Sequence, residues 1–103
     1  MTGDEFREAV LDVVGLVPPG WVTTYGDIAE YLGHGGPRQV AQVMAREGAA
    51  VPWWRVVRAD GSLPVHLAER AIAEYAAEGT PTIRQESGRF RIDMRRGRWS
   101  GEV

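Results

Sequence analysis

The 103-residue chain contains no cysteine, no lysine and no asparagine. Without a thiol it forms no disulfide and no thiolate metal site, and it has no cysteine nucleophile. Without lysine it cannot build the Gly-x-x-x-x-Gly-Lys loop that cradles phosphates. No apolar run is long enough for a transmembrane helix or a signal-peptide core, so neither is expected. Ser62, Ser87 and Ser100 lie outside any Gly-x-Ser-x-Gly turn. The two histidines, His34 and His66, are far apart and lack metal-ligand spacing. Both read as surface residues at helix ends. The carboxylate pairs Asp4/Glu5 and Glu74/Glu78 read as solvated helix faces. No cofactor, no metal and no strong nucleophile are expected.

What is present is an ordinary globular composition, 44% apolar and 25% charged, of a length that supports one domain over residues 1–103. The net charge of −2 conceals a pattern, because all 12 basic residues are arginine. Residues 1–34 carry six acids and one arginine. Residues 35–58 carry Arg38, Arg46, Arg55 and Arg58 against Glu47 alone. Residues 59–88 are again acidic, and residues 89–103 hold five arginines against Asp93 and Glu102. A phosphate backbone responds to such local islands more than to the total.

Thr2-x-x-Glu5 has capping-box spacing, and Phe6, Val10, Val13, Val14 and Val17 follow at helical intervals. This predicts a helix over 3–16, stopped by Pro18-Pro19-Gly20. Thr24 is an N-cap candidate for a second helix running to Leu32, with Ile28, Ala29 and Leu32 inward and Gly33 in the left-handed C′ position. Pro37 fits the first turn of a third helix, to about Arg46, with Val40, Val43 and Met44 as its inner stripe. A fourth helix is expected over 65–78, with Leu67, Ala71, Ile72, Tyr75 and Ala76 as its apolar face and Gly79 beyond its end. Phe90, Ile92 and Met94 alternate with mostly basic residues, which predicts a strand over 89–95. The tail from Arg96 to Gly101 reads as a loosely ordered basic end.

Two short helices around a glycine turn, at about 24–47, make a helix-turn-helix candidate. The second of them exposes Arg38, Gln39, Gln42 and Arg46, side chains that reach phosphates and base edges. The turn over 52–58 holds Pro52-Trp53-Trp54-Arg55. Two adjacent indoles cannot both face one core, so one is expected to line a cleft for a flat ligand. A base stacked on an indole gains about 1–3 kcal/mol.

Taken together, Pro19-Gly20-Trp21-Val22-Thr23-Thr24-Tyr25-Gly26-Asp27-Ile28-Ala29, Gly36-Pro37-Arg38-Gln39-Val40-Ala41-Gln42-Val43-Met44 and Pro52-Trp53-Trp54-Arg55-Val56-Val57 resemble the DNA-binding domain of O6-alkylguanine-DNA alkyltransferases. The transferases carry Pro-Cys-His-Arg-Val where this chain has Trp53 and Trp54 in the cysteine and histidine places. That substitution resembles the alkyltransferase-like proteins. The resemblance implies a mainly α fold with short β elements, a winged-helix-like helix-turn-helix of the alkyltransferase C-terminal type. It also implies a second helix lying in the minor groove. Tyr25 matches the tyrosine that helps rotate the target nucleotide outward. Arg38 matches the finger that fills the vacated space, and Trp53 the wall beside the alkyl group. Arg58 matches an arginine that contacts the flipped guanine, and Arg55 one that braces the turn. Glu47 stands near the place of a hinge asparagine.

Indole offers neither a thiolate nor a proton-accepting lone pair, so alkyl transfer is not expected. The implied partners are duplex DNA containing O6-alkylguanine and, through the family, nucleotide-excision repair proteins. No membrane partner is expected, and the absence of a long apolar dimerisation helix points to a monomer. The arginine-rich, lysine-free composition points to a bacterial cytoplasm. A transcriptional regulator without lesion specificity, an enzyme using a bound water, and a module without a DNA role remain as alternatives.

Overall fold

The computed structural model describes residues 1–102. The first helix, α1 (Gly3–Leu16), starts on the expected box. The Thr2 hydroxyl accepts from the Glu5 amide, and the Glu5 carboxylate accepts from the Thr2 amide, both at 3.1 Å. Helix α1 buries Phe6, Val10, Val13 and Val14. After the proline turn comes β1 (Thr23–Thr24), then α2 (Tyr25–Leu32), capped by Thr24 Oγ1 accepting from the Asp27 amide at 3.0 Å. Gly33 ends α2 at φ 66°, a left-handed conformation that favours glycine. Helix α3 (Pro37–Glu47) follows, and then two single 3-10 turns, Gly48–Ala50 and Trp53–Arg55.

The second half contains β2 (Val56–Val57), α4 (Val65–Glu78), β3 (Thr82–Arg84), β4 (Phe90–Ile92) and the short α5 (Met94–Gly97). Strand β2 pairs parallel to β1, with Thr23 opposite Val56 and Thr24 opposite Val57. Successive strand residues point to opposite faces. Val56 therefore joins a core with α1, α2 and Val40 of α3, while Val57 joins a second core with Val22, Ala71, Tyr75 and Ile92. This two-residue strand is the seam between the halves.

Three expectations are corrected. The basic strand ends at Ile92, because the Asp93 carboxylate caps a helical turn by accepting from the Arg95 amide at 3.2 Å. The tail is ordered rather than loose. The Trp99 amide donates to Val22 O at 2.7 Å, its indole donates to Glu102 O at 2.9 Å, and its side chain joins the first core. Arg98 grips Asp27 of α2 at 2.6 and 2.9 Å. On α4, Ile72 and Ala76 face outward. Leu67, Ala71 and Tyr75, four residues apart, form the inward stripe, and 72 and 76 sit one residue further round the helix. No described helix is long and apolar enough to cross a membrane.

Candidate nucleic-acid interface

Helix α3 presents an amphipathic cylinder. Val40 is fully buried, with Val43 and Met44 packed behind it. Its outer face divides in two. Ala41 and Ala45, in helical register with Arg38, line a cavity of about 490 Å³ shared with α4 and the 53–58 segment. Gln39, Gln42 and Arg46 border a separate groove against α1. Gln39 also closes its own helix start, its side-chain oxygen accepting from the Gly36 amide at 3.0 Å. Glu47, at the end of α3, is tied to Arg7 of α1 at 2.7 Å.

The cavity brings together Tyr25, Trp53 and Arg58 with Met44, Leu63, His66, Leu67 and Arg70. None of its lining side chains is acidic. A second cavity of about 480 Å³, between α2 and the tail, is lined by Glu30 and by the paired Asp27 and Arg98, and offers no unpaired cation. Burial pushes the Tyr25 hydroxyl above its usual pKa, against the pull of Arg58. It therefore stays a neutral hydroxyl at working pH. Two cavity residues escaped the sequence. Arg70 lies with its guanidinium 5.3 Å from the Trp53 ring centre, a cation–π distance. His66, expected only as a surface helix-end residue, also borders the cavity. Helical spacing of 66 and 70 placed both on one side of α4, but nothing local placed that side over Trp53.

Trp54 is not part of the lining. Its ring stands nearly perpendicular to Trp53, at 85° and 5.7 Å between ring centres. Its indole N–H donates to Glu78 Oε1 at 3.1 Å. The same carboxylate accepts from Arg55 Nε at 3.2 Å, from Arg55 Nη2 and from the Gly20 amide at 3.3 Å. Arg55 Nη1 also donates to Val17 O at 3.1 Å, so the arginine braces the turn as expected. The Tyr75 hydroxyl donates to Trp54 O, and burial, then the Glu78 charge, raises its pKa. Glu78 is thus no solvated helix-face residue. Its side chain is 11% exposed and ties α4 to the 53–55 turn and the proline turn, and Arg55 carries the link on to the end of α1. Burial raises its pKa, but the hydrogen bonds from Arg55, Trp54 and Gly20 outweigh that and hold it below the usual carboxylate value.

The arrangement is a helix-turn-helix whose second helix carries a cation beside an aromatic, acid-free cavity. That is the architecture of the DNA-binding domain of O6-methylguanine-DNA methyltransferases. The family model described as "6-O-methylguanine DNA methyltransferase, DNA binding domain" matches residues 5–80. A variant of the Mycobacterium tuberculosis O6-methylguanine methyltransferase superposes with a TM-score of 0.64 at 25% identity, over 84% of this chain and 55% of that one.

Similarity along most of the chain narrows the class. The chain is 39% identical over 102 residues to the DNA base-flipping protein of Escherichia coli (strain K12), covering 94% of this chain and 76% of that protein. It is 33% identical over 106 residues to alkyltransferase-like protein 1 of Schizosaccharomyces pombe, covering 96% and 98%. The crystal structure of that yeast protein with damaged DNA containing O6-carboxymethylguanine superposes with a TM-score of 0.84 at 31% identity, over 97% of this chain and 99% of that one. With tryptophan at position 53 and no cysteine anywhere in the sequence, the chain belongs to the alkyltransferase-like family and is not an alkyltransferase.

Proposed function

We propose that the protein is a non-catalytic reader of O6-alkylguanine in duplex DNA. It rotates the damaged nucleotide out of the stack, holds it in the cavity without altering it, and so marks the site for nucleotide-excision repair. The observation that carries this reading is the cavity, where Trp53 forms an apolar wall beside Tyr25 and Arg58 and no thiol is present to take the alkyl group. The yeast relative's complex with O6-carboxymethylguanine DNA supports it.

Tyr25, at the first position of α2, crowds the phosphate of the target nucleotide and favours its rotation. Arg38 enters the duplex from α3 and fills the gap. Rotation costs a few kcal/mol, and less for a guanine whose pairing an O6-alkyl group has weakened. The cavity then adds the difference between lesion and guanine. Met44, Trp53, Leu63 and Leu67 offer the alkyl group an apolar wall, and each buried methylene contributes about 0.8 kcal/mol. Arg58 meets the base edge. Trp54 acts from behind, through Glu78, as a positioning residue for the turn that carries Trp53. The handover to nucleotide-excision repair rests on family membership.

The test is a salt series with lesion-bearing and plain duplexes of one sequence. Phosphate contacts make log K fall linearly with log salt for both. The gap between the two lines is expected to persist across the series, because the cavity contacts that create it release few ions. A regulator without lesion specificity would give coincident lines. Tyr25→Ala is expected to shrink the gap while leaving the plain-duplex line nearly in place. Equal loss on both duplexes would assign Tyr25 to general backbone contact instead.

A further inference from the structure

Among the described residues, ion pairs hold only Arg7, Arg55 and Arg98 of the 12 arginines. The unpaired ones fall into two groups. Arg38, Arg46, Arg58 and Arg70 surround α3 and the cavity. The second group lies on the β3–β4 hairpin and α5, where the function above uses none of them. Three carboxylates lie near it, and none forms an ion pair with these arginines. Asp60 accepts from the Ser62 amide and hydroxyl, and Asp93 accepts from the Arg95 amide. Glu86 sits in the hairpin turn and makes no ion pair.

The two groups are joined through one turn. Arg58, on the cavity wall, starts the turn in which the Gly61 amide donates back to Arg58 O at 2.8 Å. The Ile92 amide of β4 donates to Gly61 O at 2.9 Å. Gly61 has φ 85°, and a side chain there would fall 2.4 Å from Ile92 O and 3.2 Å from Met94 of α5. Only glycine lets β4 and α5 press so closely on the cavity turn. Arg91, on the solvent face of the hairpin opposite Ile83, reaches across to Asp60 O at 3.5 Å. The hairpin is therefore fixed against the turn that starts at Arg58, with the Asp60 carboxylate of that turn held by Ser62.

We infer that the β3–β4 hairpin and α5 form a second phosphate-binding surface, whose Arg89, Arg91, Arg95 and Arg96 hold the backbone of the same duplex to one side of the lesion. The inference rests on the lesion-reading function for its partner, and on the docking of the hairpin against the turn of Arg58 for the choice of the same duplex. Its role is affinity without sequence or lesion information, since phosphates carry neither. The longest dimension of the molecule, 43 Å, spans about 13 base pairs at about 3.4 Å each, so a duplex of about twice that length offers the full surface.

The experiment compares wild type with Arg89→Ala/Arg95→Ala/Arg96→Ala, on long lesion and plain duplexes, across a salt series. The triple variant is expected to bind both duplexes at least about tenfold more weakly, with a salt slope smaller by about 2–3 and an unchanged lesion-to-plain ratio. The corresponding triple lysine variant is expected to restore both affinity and slope. Arg89→Ala alone, at the hairpin tip, keeps the test available should the triple variant fold poorly, with a slope smaller by about 1. An unchanged slope in these variants overturns the inference and leaves the lesion reading standing. A reduced slope with no lesion preference in wild type overturns the lesion reading and leaves the second surface standing.

Discussion

Glu78→Ala is expected to lower the stability of the folded protein by up to about 3–5 kcal/mol, the cost of leaving one partner of a fully buried ion pair uncompensated, this pair being largely shielded from solvent. The stranded partner is Arg55, 14% exposed and hydrogen-bonded also to Val17 O. The substitution further removes the acceptor for the Trp54 indole and for the Gly20 amide. Chemical denaturation would read the loss, and one below about 1 kcal/mol, the scale of an exposed pair, would contradict the account of this carboxylate. The effect has a defined pH dependence. The native pKa of Glu78 lies below its unfolded value. Its contribution is therefore complete above the unfolded pKa and is lost as pH falls through the native one. Glu78→Gln is expected to flatten that acid limb relative to wild type. The consequence reaches function, because the turn that Glu78 holds is the one carrying Trp53. A loosened turn displaces the cavity wall before it unfolds the helices.

Arg38→Ala is expected to weaken lesion binding by about 1–3 kcal/mol, about five- to 150-fold. Arg38 is exposed, lies outside every ion pair among the described residues, and stands one helical turn before Ala41 on the cavity side of α3. A side chain so placed contributes nothing evident to folding, so the variant's denaturation curve should match wild type. Arg38→Lys tests shape against charge. A lysine keeps the phosphate attraction but loses the flat guanidinium that can stack in a vacated base step, so it should recover plain-duplex affinity more than lesion affinity. Equal lesion binding by wild type and Arg38→Ala, measured by titration, would remove the finger assignment.

The helices were legible because their boundaries are written locally. Thr2 with Glu5, Thr24 with Asp27, and Gly33 and Gly79 beyond the helix ends act within three or four residues. Helices α1 and α2 start, and α2 and α4 stop, where those signals stand. The cavity was legible in part, through the resemblance around Trp53 and through the outward polarity of α3. What stayed hidden depends on pairs remote in sequence. Glu78 reads as one more acid on an exposed helix until α4 is laid against a turn 23 residues earlier. Arg70 has no visible task until that docking carries it over Trp53. Trp54, adjacent to Trp53 in sequence, takes a different environment because a 3-10 turn splays neighbouring side chains apart. The tail misled for a related reason. Its arginines advertise solvent exposure, whereas Trp99 is anchored by a backbone pairing with Val22, 77 residues away.

The central claim, recognition without chemistry, is tested most directly by one titration of wild-type protein with an O6-methylguanine duplex and with its plain counterpart. Tryptophan fluorescence reports binding, and the oligonucleotide is recovered afterwards for chemical analysis. The predicted result is tighter binding of the lesion duplex, a fluorescence change from Trp53 as the base enters the cavity, and every alkyl group still on its guanine. Equal affinity for the two duplexes would contradict the recognition, and loss of the alkyl group from the recovered strand would contradict the absence of chemistry.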